Sequence, residues 1–442
     1  MKFLNFENSM SLLLLIACLG LASAQTADFA ALQTRLEQSI SGLNTAQFAD
    51  ASTYQSQALQ RTSQQIGVDA FTDEKLVQYY SLLCIYYATY AVPNEITDAD
   101  PRFVGITFPQ WLIYDNWDKV DVDPCSGWHG ITCDAEGRVT HIDLYENTLT
   151  GQWPEEVKLL AADGPFATGA GNLVQIDLFR NEFLMNGGNS SWMSSLGSNI
   201  TTIMLEQTAF YGDLPVMPES IVNFNAAEAN YTGGFTDANF ALCTKLNYLD
   251  LEFNTLNTSI PASLASLPNL EFLYLSDTLM TGTLAPLEGM PVIRELWMDA
   301  NPNLTGPVFS WIGDMTTLES LSLAYNDLNG ELPSEMGLLT GLKQLWLYGN
   351  NFTGRIPPEL GVLPHLSVLQ LEGNSFEGWV GPSICEKTEF PAVTLKSFGA
   401  DCYDDGFWCP CCSCCDINEC VTASTNERKE RKKQRRYLRR SQ

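Results

Sequence analysis

The densest potential chemistry lies near the C terminus, where CPCCSCCDINEC sets thiols at Cys409, Cys411, Cys412, Cys414, Cys415 and Cys420. Closely spaced thiolates suit zinc or copper(I). In an oxidising compartment the same residues become disulfides and cannot coordinate as thiolates. Acylation beside a polybasic tail is a third reading, but that modification acts in the cytosol. The first 24 residues favour the disulfide reading. Lys2, the apolar run Ser11 to Leu19, and Ala22-Ser23-Ala24 before Gln25 have the form of a secretory signal peptide. Losing Cys18 with it leaves twelve of thirteen cysteines, an even number that suits a disulfide framework. Cys84 and Cys243 have no local partner and stand either as buried thiols or as a pair. We assign no metal and no cofactor.

Histidine chemistry is sparse. The chain has three, His129, His141 and His365. His141 and Asp143 are two apart and so share one face of a strand, but the pattern sets no hydroxyl or thiol nucleophile beside them. The chain therefore reads as a binding protein and not an enzyme.

Binding chemistry is better supplied. Tyr274, Trp297, Trp346 and Tyr348 recur at fixed offsets within a repeating pattern, beside Glu252, Glu295 and Asp299. Aromatic rings stack on sugar faces and anchor peptides, and carboxylates bind hydroxyls or attract basic peptides. The competing reading is lateral packing of the rings along the repeat.

The elements that position these residues follow from periodicity. Leu318, Leu342 and Leu366 each open L-x-x-L-x-L-x-x-N, 24 residues apart. Such self-similarity marks a solenoid, in which each unit buries its apolar edge against its neighbours. The L-x-L segment alternates as a half-buried strand. Asn326, Asn350 and Asn374 end the strand, where their amides are expected to bond the turning backbone of the next repeat. Gly330, Gly354 and Gly378 follow where a positive φ is expected. Ten repeats are expected, opening at Val139, Leu173, Ile200, Ile221, Leu246, Leu270, Ile293, Leu318, Leu342 and Leu366. The unit at Ile221 is degenerate, with Ala226 and Ala229 in place of Leu and Asn.

The fold expected is thus α/β, a solenoid with a parallel concave sheet. Residues in the fifth and seventh positions should point outward from that sheet. Trp297 and Trp346, two rungs apart, should then stand exposed and about 10 Å from each other, with Ser322 between.

Ahead of the repeats, Thr72 to Val92 reads as a helix capped by Thr72, with Asp73 and Glu74 in its first turn. Leu76, Tyr80, Leu83 and Tyr87 form its apolar face, expected to pack on the first repeats. The run Ser81 to Val92 is too short to span a bilayer. Residues 25–66 read as a polar helical or spacer segment. The segments are therefore 1–24, 25–66, 67–135 (helix and cap), 136–384 (repeats), 385–420 (Cys-rich cap) and 421–442 (basic tail).

Charge is polarised. Residues 427–442, ERKERKKQRRYLRRSQ, hold nine Lys/Arg and two Glu, about +7, within a chain of net charge −28. The remainder is therefore about −35. A like-charge block without apolar period reads as a disordered interaction tail. Its basic pairs are also candidate processing sites.

The G-x-[IL]-P segments, Gly330-Glu331-Leu332-Pro333 and Gly354-Arg355-Ile356-Pro357, make the array resemble plant-type leucine-rich repeats. The run at Trp117, Cys125, Trp128, Gly130 and Cys133 resembles the N-terminal cap of plant-type ectodomains. That resemblance implies a Cys125–Cys133 disulfide pinning the cap. A narrower resemblance is to secreted leucine-rich-repeat proteins of diatoms. It rests on EKLVQYYSLLCIYYAT, on the array, and on Ala400-Asp401-Cys402 followed by Cys409-Pro410-Cys411-Cys412-Ser413. Cys385 and Cys402 are expected to staple the C-terminal cap.

Six N-x-[ST] triplets, at Asn189, Asn199, Asn230, Asn257, Asn303 and Asn351, are candidate glycan sites in a secreted chain. The function these features imply is a secreted, receptor-like recognition component or inhibitor. It would bind an extracellular protein, peptide or glycan through the concave face. The alternative is a structural matrix or cell-wall glycoprotein held on anionic wall polymer by its basic tail. Neither nucleic acid nor a transmembrane span enters either reading.

Overall fold

The computed structural model describes residues 29–40, 45–65, 68–90, 111–117, 119, 121–161, 172–185, 190, 192–388, 394–401 and 407–413. The expected signal peptide, Asn189, Cys402, Cys414, Cys415, Cys420 and the basic tail lie outside them. The chain forms two units, Met1–Gly187 with Ser191–Ile200, and Gly188–Ser190 with Thr201–Gln442.

In the first unit, helix Asp73–Thr89 begins where the Thr72 side chain accepts a bond from Lys75 N. It ends at Tyr90, three residues before Pro93. The expected one-sided apolar face is corrected: Leu76, Val77, Tyr79, Tyr80, Leu82, Leu83, Cys84, Ile85 and Tyr86 are all buried. The helix is enclosed because helix Tyr54–Ser63 covers one side and the turn Glu155–Leu160 another. Tryptophans cover a third. Trp111, Trp117 and Trp128 have ring centroids 5.0 and 4.8 Å apart in sequence order, and Trp128 meets Tyr79 at 5.3 Å. Each of the three indole N–H groups finds a backbone carbonyl, that of Thr89, His129 or Val122.

The cap closes on strand Ile131–Cys133, which pairs antiparallel with Val139–Asp143. Gln78 from the helix bonds that edge twice, its Nε2 donating to Gly137 O and its Oε1 accepting from Val139 N. Cys125 and Cys133 are joined by a disulfide. Gly130 is indispensable here, with φ +76° and Asp143 O only 2.3 Å from where a Cβ would sit. Strand Gln175–Asp177 continues the sheet in parallel.

Among the described residues, the main sheet of the second unit has nine parallel strands: Thr202–Met204, Asn223–Asn225, Tyr248–Asp250, Phe272–Tyr274, Glu295–Trp297, Ser320–Ser322, Gln344–Trp346, Val368–Gln370 and Ser397–Gly399. The central leucines lie in strict register, Leu249, Leu273, Leu296, Leu321, Leu345 and Leu369. All are essentially buried. The strand at Ile221 keeps its place, Phe224 pairing with Ile203 and Leu249 despite the missing leucine.

The asparagines reach toward the preceding repeat, not the next. Asn350 Nδ2 donates to Leu323 O and Leu347 O, and its Oδ1 accepts from Leu328 N. Gly330, Gly354 and Gly378 have φ of +82°, +70° and +87°. A second parallel sheet, not anticipated, runs through Thr281–Gly282, Asn303–Gly306, Asp327–Glu331, Asn351–Gly354 and Ser375–Phe376. Single 3-10 turns such as Ser334–Leu338 and Pro358–Val362 follow.

The last rung, Ser397–Gly399, was also unforeseen. Leu395, Phe398 and Ala400 are buried like the leucines they replace. The expected Cys385–Cys402 staple is corrected: Cys385 is bonded to Cys411, with Cα atoms 5.4 Å apart. Strand Phe407–Trp408 pairs with Gly378–Trp379 and so returns Cys411 to the helix Pro382–Cys385. Cys409 is bonded to Cys412. Cys84 and Cys243 are buried free thiols.

Candidate recognition face

Opposite the leucine row of the second unit, the fifth positions line up strand by strand as Asp250, Tyr274, Trp297, Ser322, Trp346 and Gln370. The register places them as the sequence implies, but their exposure is corrected. Tyr274, Trp297, Trp346 and Tyr348 are 2%, 5%, 6% and 4% exposed. The rings lean along the ladder instead of standing off it. Tyr274 meets Trp297 edge to face at 5.5 Å, and Trp297 meets Trp346 at 5.9 Å, not about 10 Å. The small Ser322 between them leaves the space that makes this possible. Trp297 Nε1 donates to Ser320 Oγ, and the Tyr274 hydroxyl donates to Glu295 Oε2 at 2.8 Å.

The acids of this face are likewise buried. Asp299 is 1% exposed and fastens three rungs: it accepts from Ser276 Oγ, Ser322 Oγ and Ala324 N. Asp250 accepts from the Tyr248 hydroxyl and Glu252 N, and Glu206 from Asn225 Nδ2. Glu252 is buried and Glu295 half-buried. Glu372 differs from all of these. It is fully buried, and neither carboxylate oxygen has a hydrogen-bond partner. Burial pushes its carboxyl up to about 7, and the charge of Asp401 acts in the same direction. Gln370 Oε1, two residues earlier, is also without a partner.

Sequence reasoning missed two features. Phe253 and Tyr325, eighth in their repeats, are 38% and 41% exposed with φ of +57° and +55°. The left-handed backbone turns them outward; no spacing rule for strands would have shown it. At the second position, Glu271, Arg294, Glu319 and Lys343 alternate in charge along four consecutive repeats. Arg294 lies 3.5 Å from Glu271, and both Arg294 and Lys343 pair with Glu319. The two cations hold the Glu319 carboxyl below its usual range. That signal was present in the repeat alignment. At such exposure each pair contributes little stability.

The first unit has a separate buried cluster. Glu156 accepts from the Tyr54 hydroxyl at 2.9 Å and from Gln55 Nε2 at 3.3 Å. Burial raises its carboxyl above the ordinary range. His141 lies beside Thr140 Oγ1, and the Asp143 carboxylate accepts from Gln175. Among the described residues no cluster of three or more His, Cys, Asp or Glu could hold a metal ion. No described helix is long and apolar enough to cross a membrane. Asn199, Asn230, Asn257, Asn303 and Asn351 are exposed.

Strands in single-residue register, an asparagine ladder and a second sheet behind each glycine decide the architecture. The fold is a leucine-rich-repeat solenoid. Family models described as "Leucine rich repeat" match residues 228–280, and "Leucine Rich Repeat" residues 317–339 and 341–363. The chain is similar to Receptor-like protein 54 of Arabidopsis thaliana, 30% identical over 152 residues, which are 34% of this chain and 18% of that protein. It thus spans under a fifth of that relative. Among solved structures it is similar to the leucine-rich-repeat ectodomain of the Arabidopsis receptor kinase HAESA in complex with an N-terminally extended IDA peptide hormone. That match has TM-score 0.50 and 25% identity, covering 66% of this chain and 50% of the other. The plant peptide hormone receptor RGFR1, in complex with RGF2, matches with TM-score 0.49 and 23% identity over 58% of this chain and 43% of that one.

Proposed function

We propose that this chain is a secreted, glycosylated recognition protein that binds a peptide or protein partner across the open face of its second unit. One observation carries the reading: beside the buried, register-aligned aromatic row of this face, Phe253 and Tyr325 stand 38% and 41% exposed, large rings that the packing leaves outside. The likeness to a peptide-hormone-bound ectodomain supports a peptide ligand class. Residues Tyr274, Trp297, Trp346, Tyr348, Glu252, Glu295 and Asp299 form the floor. Phe253 and Tyr325 rise from it as exposed anchors. A glycan remains the second ligand class for the same rings. The signal-peptide pattern supports secretion, and the five exposed sequons support glycosylation. The Ala400-Asp401-Cys402 and Cys-rich segments support kinship with the diatom-type secreted proteins.

The test is a peptide and glycan array screen of the full chain beside a Phe253→Ala, Tyr325→Ala variant. Loss of hits, with circular dichroism unchanged, supports the face as the binding site. Identical hits in both chains reject it. The alternative, wall retention through the basic tail, predicts release by about 1 M salt, where long-range attraction is screened within roughly 3 Å. Recognition through apolar anchors survives that salt.

A further inference from the structure

Of the ten tryptophans in the chain, Trp379 and Trp408 alone are exposed, at 51% and 63%. They stand side by side. Strands Gly378–Trp379 and Phe407–Trp408 run parallel, with the two tryptophans as register partners on backbones roughly 4.8 Å apart. Register partners share a face, and here it is the outer one, since Phe407, Val380 and Cys409, one step away, are buried. The two strands form a sheet of their own, separate from the main sheet that carries the aromatic row.

The fold does not ask for tryptophan here. In the G-x-[IL]-P segments of the two preceding repeats the same position is Glu331 and Arg355, both exposed. Neither indole packs on another ring or makes a hydrogen bond among the described residues. A single exposed ring needs no explanation, but a register-aligned pair marks a binding surface. The pair is also held firmly. The Cys385–Cys411 disulfide ties helix Pro382–Cys385, which starts three residues beyond Trp379, to the residue three beyond Trp408. Cys409–Cys412 closes the turn between. Less freedom is then left to lose on binding.

Two charged groups border the rings. Arg355 lies along Gly378, where a Cβ would sit 3.4 Å from its Nε. Glu377, two residues before Trp379, is exposed. Neither side chain makes an ion pair or hydrogen bond among the described residues. Their charges cancel, and the chain's net charge of −28 repels polyanions. A protein partner would need a wider apolar centre than two rings. The matching ligand has apolar faces rimmed by uncharged hydroxyls that a guanidinium and a carboxylate can bond, as a neutral sugar chain does. A β-linked chain fits best, because its rings follow one another in a flat ribbon.

We propose that Trp379 and Trp408 form a stacking platform for an uncharged, β-linked polysaccharide, with Arg355 and Glu377 bonding its hydroxyls. The platform lies in a different sheet from the open face and does not rest on the recognition reading.

The full chain is titrated calorimetrically with cellohexaose, xylohexaose, mannohexaose and chitohexaose, and with polygalacturonate as a polyanion control. The platform predicts binding of at least one neutral hexasaccharide, weakened at least tenfold by Trp379→Ala and by Trp408→Ala separately. Both positions are exposed, so circular dichroism should not change. The Phe253→Ala, Tyr325→Ala variant should bind the sugar as the native chain does, which separates this site from the open face. Lack of binding to all four sugars, unaltered affinity in either tryptophan variant, or binding of polygalacturonate alone overturns the proposal. So does self-association that the tryptophan variants abolish, since the rings would then belong to a contact between copies. As a second readout without substitution, N-bromosuccinimide should oxidise Trp379 and Trp408 first in the native chain, as mapped by mass spectrometry. Bound hexasaccharide should slow both at least fivefold; equal oxidation with and without it also overturns the platform.

Discussion

Trp297 and Trp346 belong to strands two rungs apart, yet their rings meet edge to face at 5.9 Å over Ser322. The pair ties three repeats together through side chains on the face that the leucines do not use. Rings expected to reach for a ligand are thereby half committed to the ladder itself.

Replacing Trp346 with Ala should therefore cost about 3 kcal/mol, at the lower end of the large-to-small aromatic range, because one side of the site can relax. Urea denaturation measures it, and near-ultraviolet circular dichroism should lose the paired-ring signal. A cost below about 1 kcal/mol would show that the rings do not hold the ladder.

Asn350 bonds Leu323 O, Leu347 O and Leu328 N. Changing it to Ala leaves buried backbone groups open, each worth about 1–3 kcal/mol. We expect a total near 3 kcal/mol, well above the cost of the same change at the exposed Asn329. Parallel denaturation of both variants checks the contrast.

Gly349 has φ +66°, and a Cβ there would lie 2.7 Å from the Tyr325 ring. Gly349→Ala should destabilise by about 1–3 kcal/mol through both the conformation and the clash. Adding Tyr325→Ala should recover the clash part only. Additive losses in the double variant would refute the contact.

Glu156 gives a pH dependence in the first unit. Its folded carboxyl is raised by burial, so the folded state holds a proton that the unfolded state has released. Stability should accordingly be full below the ordinary carboxylate range and fall as pH rises above it. Glu156→Gln, which keeps an acceptor for Tyr54, should melt at a temperature that changes less with pH between 5 and 8. Parallel pH profiles of both chains would refute the assignment.

Peptide mapping under non-reducing conditions should recover Cys385 joined to Cys411 and Cys409 joined to Cys412. Recovery of Cys385 with Cys402 would restore the pairing expected from the sequence.

The sequence by itself determined the repeat. The 24-residue spacing of Leu318, Leu342 and Leu366 dictates strands, because only a one-sided strand uses L-x-L in that period. The glycines dictate the bend, since positive φ without penalty needs a missing Cβ. Register made the row Tyr274, Trp297, Ser322, Trp346 legible too. What only tertiary structure decided is where those side chains end up. Ring tilt depends on the volume of the neighbour one rung away, which is why Ser322 lets two tryptophans meet. The outward turn of Phe253 and Tyr325 comes from a left-handed residue that a strand pattern does not encode. Disulfide choice follows from where a strand returns, so Phe407–Trp408 selected Cys411 over the nearer Cys402. The burial of Glu372 belongs to the fold as well: the chain returns Asp401 close enough to act on its carboxyl, and composition cannot show that.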